Sequence, residues 1–206
     1  MVRQLRCIGL ISKEQIQYIQ DFAKNLMSPD DVHGWGHILR VVELCIQISQ
    51  QESCNKDILL AAAYLHDIGR AFENLPEKKG INHAILSAEK AMPFMLKTDI
   101  IPADAALINN CIRSHCFSAG VKPESIEAKI LSDSDKLDAM GTIGIYRMIV
   151  FQEPSNKGIA GLAQHLDEKL LRLKDQLHTK TAKNMAQPRH QLLVVFRDEI
   201  RREFKI

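Results

Sequence analysis

Apolar residues recur along this chain at helical rather than alternating spacing, and no stretch alternates strictly enough to predict a strand. The breaks between the apolar runs carry Pro, Gly, Asn or Asp. A first helix is expected after Ser12, an N-cap with Gln15 in the capping-box position, through Ile16, Ile19, Phe22, Ala23 and Leu26, stopping before Pro29. A second follows the Asp30 to Gly36 turn and runs to about Gln51, burying Ile38, Val41, Val42, Cys45, Ile46 and Ile48. A third, Lys56 to about Ile68, is nearly all apolar from Ile58 to Leu65, which places it in the middle of the domain. It ends on His66 and Asp67, and two ionisable residues at the end of a buried helix are costly unless something binds them. The polar stretch Arg70 to Gly80 is long enough to act as a mobile flap. Further helices are expected from about Asn82 to Leu96, Pro102 to His115 and Pro123 to about Met140, the last two each opened by a proline suited to a first turn. Beyond Gly141 and Gly144 the pattern predicts helices near Ile145 to Phe151, Gly158 to Leu177 and Thr181 to Phe204. The chain reads as an all-α bundle, residues 1–206 forming one helical domain.

Composition narrows the class. Hydrophobic residues make up 46% and charged residues 25% of the 206 positions, which suits a globular chain with a real core. The aromatic share of 5% argues against a base-stacking surface, and the net charge of +2 gives no global field to recruit a polyanion. From His165 to Ile206 there is a mild basic tilt, read as a solvated helix face, so no specific nucleic-acid binding is expected. The apolar segment Cys7 to Ile11 is too short for a signal or membrane segment, so a cytoplasmic protein without membrane spans is expected. Five cysteines without a CxxC pair are read as small core residues in a reducing compartment, and the spacing of Cys111 and Cys116 around His115 matches no zinc pattern.

The chemistry concentrates in histidine and aspartate. Five of the eight histidines, His33, His37, His66, His83 and His115, fall on or beside predicted core helices. Taken singly, a buried histidine is more often a satisfied core residue than a ligand, and the His66-Asp67 pair alone is a weak signal.

Three separated motifs decide between these readings. Asp31-Val32-His33 leads to His37 and Arg40-Val41; then comes Leu65-His66-Asp67-Ile68-Gly69-Arg70; then Leu131-Ser132-Asp133-Ser134-Asp135-Lys136-Leu137-Asp138-Ala139-Met140-Gly141. Their order and separation resemble the HD superfamily of phosphohydrolases, especially its small nucleotide-hydrolysing branch. The resemblance covers about residues 30–150 and leaves residues 151–206 as a C-terminal helical extension. It implies an HD-domain helical bundle whose metal ligands are His37, His66, Asp67 and Asp135, with His33 and Asp133 in supporting positions behind them.

Two imidazoles and two carboxylates suit Mn, Fe, Co, Ni or Zn better than Ca, and leave room for water and a phosphoryl oxygen. Asp67 is the ligand placed to orient the attacking water, and Asp138, one turn from Asp135, either supports a ligand or serves as base. Among the cations Lys136, Arg70, Lys78, Lys79 and Arg147, the first two are the expected phosphate partners. His83 and His115 lie between the His-Asp pair and Asp135, and two readings stay open: ligands of a second metal ion bridged by Asp67, or groups that bind phosphate or protonate the leaving group. The implied activity is hydrolysis of a phosphate ester or anhydride in a small, nucleotide-like substrate with one or two divalent ions. Two rivals remain: the di-iron oxygenases built on the same fold, and a module that senses a nucleotide without turning it over.

Overall fold

In the computed structural model, which describes residues 11–152 and 158–205, the first helix starts where its cap dictates. Ser12 Oγ accepts from the Gln15 backbone N–H at 3.2 Å while Gln15 Oε1 accepts from the Ser12 N–H at 2.8 Å, a closed capping box. The described residues form nine α-helices and no strand. These are α1 (Lys13–Leu26), α2 (Trp35–Ser49), α3 (Lys56–Leu65), α4 (His83–Lys97), α5 (Pro102–Ser114), α6 (Ile126–Asp138), α7 (Gly141–Gln152), α8 (Gly158–Glu168) and α9 (Lys180–Phe204). None is long and apolar enough to cross a membrane among the described residues. Cys7 and the rest of the apolar N-terminal segment before Ile11 lie outside the described residues.

Helix α3 is the centre. Ile58, Leu59, Ala61, Ala62, Ala63 and Leu65 are all buried, and α1, α2, α5 and α6 pack around it. The alanines let neighbouring backbones approach, and the larger residues supply burial worth roughly 1.5–3 kcal/mol each. One contiguous hydrophobic cluster runs from Ile11 through this helix to Leu177, Ala182 and Leu193, so the helices after residue 157 share the core of those before it.

Several sequence expectations change. Ile46 is 38% exposed, because α2 turns its buried stripe through Ile38, Val41, Val42, Cys45 and Ile48 instead. Pro123 precedes α6 rather than opening it, and Ser125 caps the helix through the Ala128 N–H. The stretch after Arg70 is not a featureless flap: Ile68–Phe72 forms a 3-10 turn packed on α4, and Pro76–Lys78 forms a second. Helix α3 stops at Leu65, with His66 as its C-cap, and Leu170–Gln176 is a 3-10 segment rather than a continuation of α8.

Helix α6 is unusual in burying Ser132, Asp133, Ser134, Lys136 and Asp138. Buried polar groups must be partnered. Asp133 is satisfied from the C-terminal side: it accepts from the His178 N–H at 2.8 Å, the Thr179 N–H at 2.7 Å and the Thr179 hydroxyl at 2.8 Å. Thr179 is itself the N-cap of α9, so one carboxylate fastens that helix to the core. Replacing it orphans three donors at once, each worth roughly 1–3 kcal/mol when left buried without a partner. Asp133→Ala is therefore expected to lower unfolding free energy by about 3 kcal/mol and to speed amide exchange in α9, with metal content unchanged. Denaturant melts with exchange mass spectrometry check this, and metal loss with normal stability would contradict it.

Candidate metal centre

The site forms where α2, α3, α4, α5 and α6 bring their ends together. His66 and Asp67 leave the C-terminal end of α3, and the chain can turn away close against α4 because Gly69, two residues past Asp67, has no side chain. A Cβ on Gly69 would collide with the His83 carbonyl and the Ser87 N–H of α4. The Gly69 N–H instead donates to Ser87 Oγ at 2.8 Å, which seats α4 against the turn and brings His83 to Asp67. On α2, the Asp30 carboxylate accepts from the N–H groups of Val32, His33 and Gly34 and shapes the turn that delivers His37.

Two groups of donor atoms result, and Asp67 belongs to both. On one side, His37 Nε2 lies 3.3 Å from His66 Nε2, 3.4 Å from Asp135 Oδ1 and 3.6 Å from Asp67 Oδ2. On the other, Asp67 Oδ1 lies 3.4 Å from His83 Nε2 and 3.5 Å from His115 Nε2, and these two imidazoles are 3.3 Å apart. Bonds of 2.0–2.2 Å to a four-coordinate ion put donor atoms roughly 3.3–3.6 Å from each other, so both groups have the right dimensions.

Tautomers strengthen the case. His66 Nδ1 donates to the Ala63 carbonyl at 2.7 Å, and His115 Nδ1 donates to the Ile112 carbonyl at 2.7 Å. His37 Nδ1 donates to the Asp138 carboxylate at 2.8 Å. A neutral imidazole that donates through Nδ1 presents a lone pair at Nε2. With both rings neutral, His37 and His66 aim their Nε2 lone pairs at each other across 3.3 Å, an arrangement that calls for a proton or a metal cation between them. Asp67 Oδ1, fully buried, accepts no hydrogen bond at all. An ionised carboxylate oxygen without a donor in the protein interior is explained by a cation.

The electrostatics point the same way. Burial pushes the imidazoles of His66 and His83 down to about 4, so both stay in the neutral form that ligates. Burial would raise the Asp67 carboxyl, but the charge of Arg70 and then of the surrounding histidines holds it well below the usual range. Burial would likewise lower His37, yet its contacts with Asp135 and Asp138 raise it overall. Two carboxylates thus favour positive charge at this imidazole, as they would favour a cation beside it.

Behind the donors stands an anchoring layer that the sequence left mostly unread. Asp138 accepts from His37 Nδ1, from Arg40 Nε at 2.6 Å and from Arg147 Nη1 at 2.6 Å. Burial alone would raise this carboxyl, but the His37 and Arg40 hydrogen bonds and the charge of Arg147 hold it at about 2. So saturated, Asp138 is a poor proton acceptor, and of its two expected roles the geometry keeps that of fixing His37. Arg40 appeared in the sequence only as a motif marker; its place one turn after His37 on α2 was the available signal.

The remaining expected residues divide. Arg70 reaches the centre, donating from Nε to Asp67 Oδ2 at 2.6 Å. His33 is partly buried, and burial together with the charges of Arg70 and Arg147 pushes it down to about 4. Asp133 is turned to α9, away from the donors. Lys78 pairs with Glu89 at 2.9 Å on the surface, and Lys79 is exposed. Lys136 does not face the donor atoms: its Nζ donates to the Ser132 carbonyl at 3.1 Å and to Ser132 Oγ at 2.6 Å, and it lines a separate cavity. Cys45 and Cys111 are buried, as core cysteines should be, whereas Cys116, set aside on spacing, brings its Sγ within 4.8 Å of the donor nitrogens of His83 and His115.

The model of the HD domain matches residues 34–140, more than half the chain. This chain belongs to the HD domain family. The same stretch carries His37, the His66-Asp67 pair, both further histidines and Asp135. YpgQ of Bacillus subtilis is 29% identical over 192 residues, covering 89% of this chain and 90% of YpgQ. The crystal structure of that protein in complex with ADP is similar at a TM-score of 0.75 and 26% identity, covering 92% of this chain and 95% of the other. A crystal structure of an HD-superfamily hydrolase from Bacillus thuringiensis gives a TM-score of 0.72 at 28% identity, covering 93% and 97%. The HD fold of this chain thus carries a His and Asp arrangement able to hold a divalent metal.

Because Asp138 touches no expected metal position itself, it offers a test of the anchoring layer. Asp138→Asn is expected to weaken metal binding roughly 10–100-fold while leaving helical content intact. Calorimetric titration of metal-free protein with a single metal measures it, and an unchanged affinity would mean that His37 needs no anchor.

Proposed function

We propose that this chain is a metal-dependent phosphohydrolase that cleaves a phosphate ester or anhydride of a nucleotide. The observation that carries the reading is Asp67, a buried carboxylate with one oxygen in each of two donor groups and with Oδ1 lacking any hydrogen bond. His37, His66, Asp67 and Asp135 would hold one divalent ion, and Asp67, His83 and His115 a second. When bound, such ions supply Lewis acidity that makes a water nucleophilic and polarises a phosphoryl oxygen.

The chain's own residues do the rest. Asp138 fixes His37 with its Nε2 lone pair inward, and Arg40 and Arg147 keep that aspartate ionised. Arg70 offsets the charge of Asp67 from the edge of the site. Its guanidinium has five donors, of which one is committed to Asp67 by a short bond, so others remain for phosphate oxygens. Asp135 is the most open of the donors, its side chain 25% exposed, which gives substrate and water a way in. The ADP in the YpgQ structure supports a nucleotide as the substrate class.

The decisive experiment reloads metal-free protein with Mn, Fe, Co, Ni or Zn singly and screens nucleotides for released phosphate and for nucleotide products. Turnover that depends on metal is expected, with two ions per chain in the wild type, one in His115→Ala, and loss of both metal retention and turnover in Asp67→Ala. Oxygen consumption by the iron form without phosphate release would overturn hydrolysis in favour of oxygenase chemistry. Nucleotide binding with intact metal and no turnover would leave a sensor. Unchanged metal content in His115→Ala with lost turnover would make His83 and His115 phosphate-binding groups.

A further inference from the structure

Beside the metal centre lies a cavity of about 610 Å³ whose lining includes no carboxylate. It is bounded by the C-terminal end of α5, the loop leading to α6, one face of α6 and the segment before α9. Phe117, Val121 and Pro123 make its walls apolar, and Lys136 and Ser132 supply polar groups from α6. Its size falls within the range of about 300–1,000 Å³ typical of small-molecule sites.

Two features single it out. Lys136 is buried at 7% exposure and makes no direct ion pair among the described residues, the charges of Asp135 and Asp133 acting on it from farther off. Its ammonium has three donors, and only two find acceptors, both on Ser132. A buried ammonium with a free donor beside a cavity is completed by water or by an acceptor on a ligand that displaces it. The second feature is Phe117, 81% exposed at the lining of the same cavity, an aromatic ring that packs on little in the free protein. Such a ring offers a face on which a planar ring can stack.

The cavity is also tied to the metal centre. Ser132 Oγ accepts from Lys136 and donates to the His115 carbonyl at 2.7 Å, so one hydroxyl joins the lysine to a donor histidine. Cys116 lines the cavity while its Sγ lies within 4.8 Å of the His83 and His115 nitrogens. The cavity thus adjoins the donor group of His83 and His115.

We propose that this cavity is the nucleoside subsite, and that Lys136 selects bases carrying a ring carbonyl by donating a hydrogen bond to it, with Phe117 stacking on the base. The proposal rests on the nucleotide reading above. Guanine, hypoxanthine, uracil and thymine each offer an exocyclic oxygen acceptor to an ammonium. Adenine carries an amino donor at the equivalent position, which an ammonium cannot use, and keeps only a ring nitrogen beside it as acceptor. A charge-assisted hydrogen bond in a buried site is worth about tenfold or more in affinity.

The test uses nucleosides, which carry no phosphate, so it is independent of catalysis and of metal. Binding of guanosine, inosine and adenosine to the full chain is measured by saturation-transfer NMR and calorimetry, with and without metal. Guanosine and inosine are expected to bind about tenfold more tightly than adenosine. Lys136→Met, which keeps the length and removes the donor, should erase that ratio. Phe117→Ala, at an exposed position where folding is not at stake, should weaken all three by a similar factor. Equal binding of guanosine and adenosine, or a ratio that survives Lys136→Met in protein shown folded by its melting curve, would overturn the proposal. No nucleoside binding at all would overturn it as well. Selective nucleoside binding in a protein that hydrolyses nothing would defeat the hydrolase reading and leave the subsite standing.

Discussion

A carboxylate buried among four imidazoles cannot be neutral about its surroundings, and the placement of Asp67 sets the terms for much of this fold. Its two oxygens face separate donor groups, one completed by α2 and α6, the other by α4 and α5. Five helices must therefore end or bend within hydrogen-bonding distance of one point. The alanine-rich centre of α3 permits this, since small side chains let α2, α5 and α6 close around the helix that delivers the carboxylate. Gly69 permits it on the α4 side, where any side chain would strike the helix that carries His83. The packing and the chemistry are thus one problem: the core is shaped so that charged groups can be placed inside it with their partners.

Burying this much charge works only because each group is held in a fixed state by a neighbour. His66 and His115 take their tautomers from backbone carbonyls at the ends of their own helices, His37 takes its from Asp138, and Asp138 takes its charge from two arginines. Replacing such a buried pair by apolar residues is often harmless to stability, so the arrangement is not there to hold the protein together. Its consistent result is that the lone pairs point inward, and that is a requirement of binding rather than of folding.

The sequence was most legible where a local rule fixes the outcome. The Ser12 capping box, the break before Pro29 and the buried run of α3 follow from short-range chemistry, and the expected and observed elements agree closely there. His37, His66, Asp67 and Asp135 were implied by the family resemblance that three motifs carry, and the fold brings all four together, as well as His83 and His115. What spacing could not reveal is direction. Asp133, Asp135, Lys136 and Asp138 are crowded into six residues of one helix, but their side chains fan out to α9, to the donor histidines, to a cavity and to α2. Lys136 was read as a phosphate partner because it lies within the third motif, but on a helix it points about 100° away from its neighbour Asp135. Arg147 and Cys116 failed to stand out for a related reason: each comes into the neighbourhood of the site from an element whose packing no motif records.

The helices beyond the motif region are the part of the chain with least to say in sequence, yet they are joined to α6 by its most fully satisfied carboxylate. Asp133 grips His178 and Thr179, and His178 lines the cavity that Lys136 also lines. The same short segment thus caps α9, closes one wall of that cavity and is fixed to a helix that also carries Asp135. Such an arrangement keeps the donor groups apart from the cavity beside them. Donor groups sit on helix ends clamped by core packing, where sub-ångström placement matters for any reaction. The neighbouring cavity is completed by a loop and a C-terminal segment, which can vary in sequence without disturbing the donors as long as the Asp133 clasp is kept. Differences in substrate among proteins sharing this core would then be sought in the cavity lining contributed by that loop and by residues after 170, rather than among the histidines and aspartates.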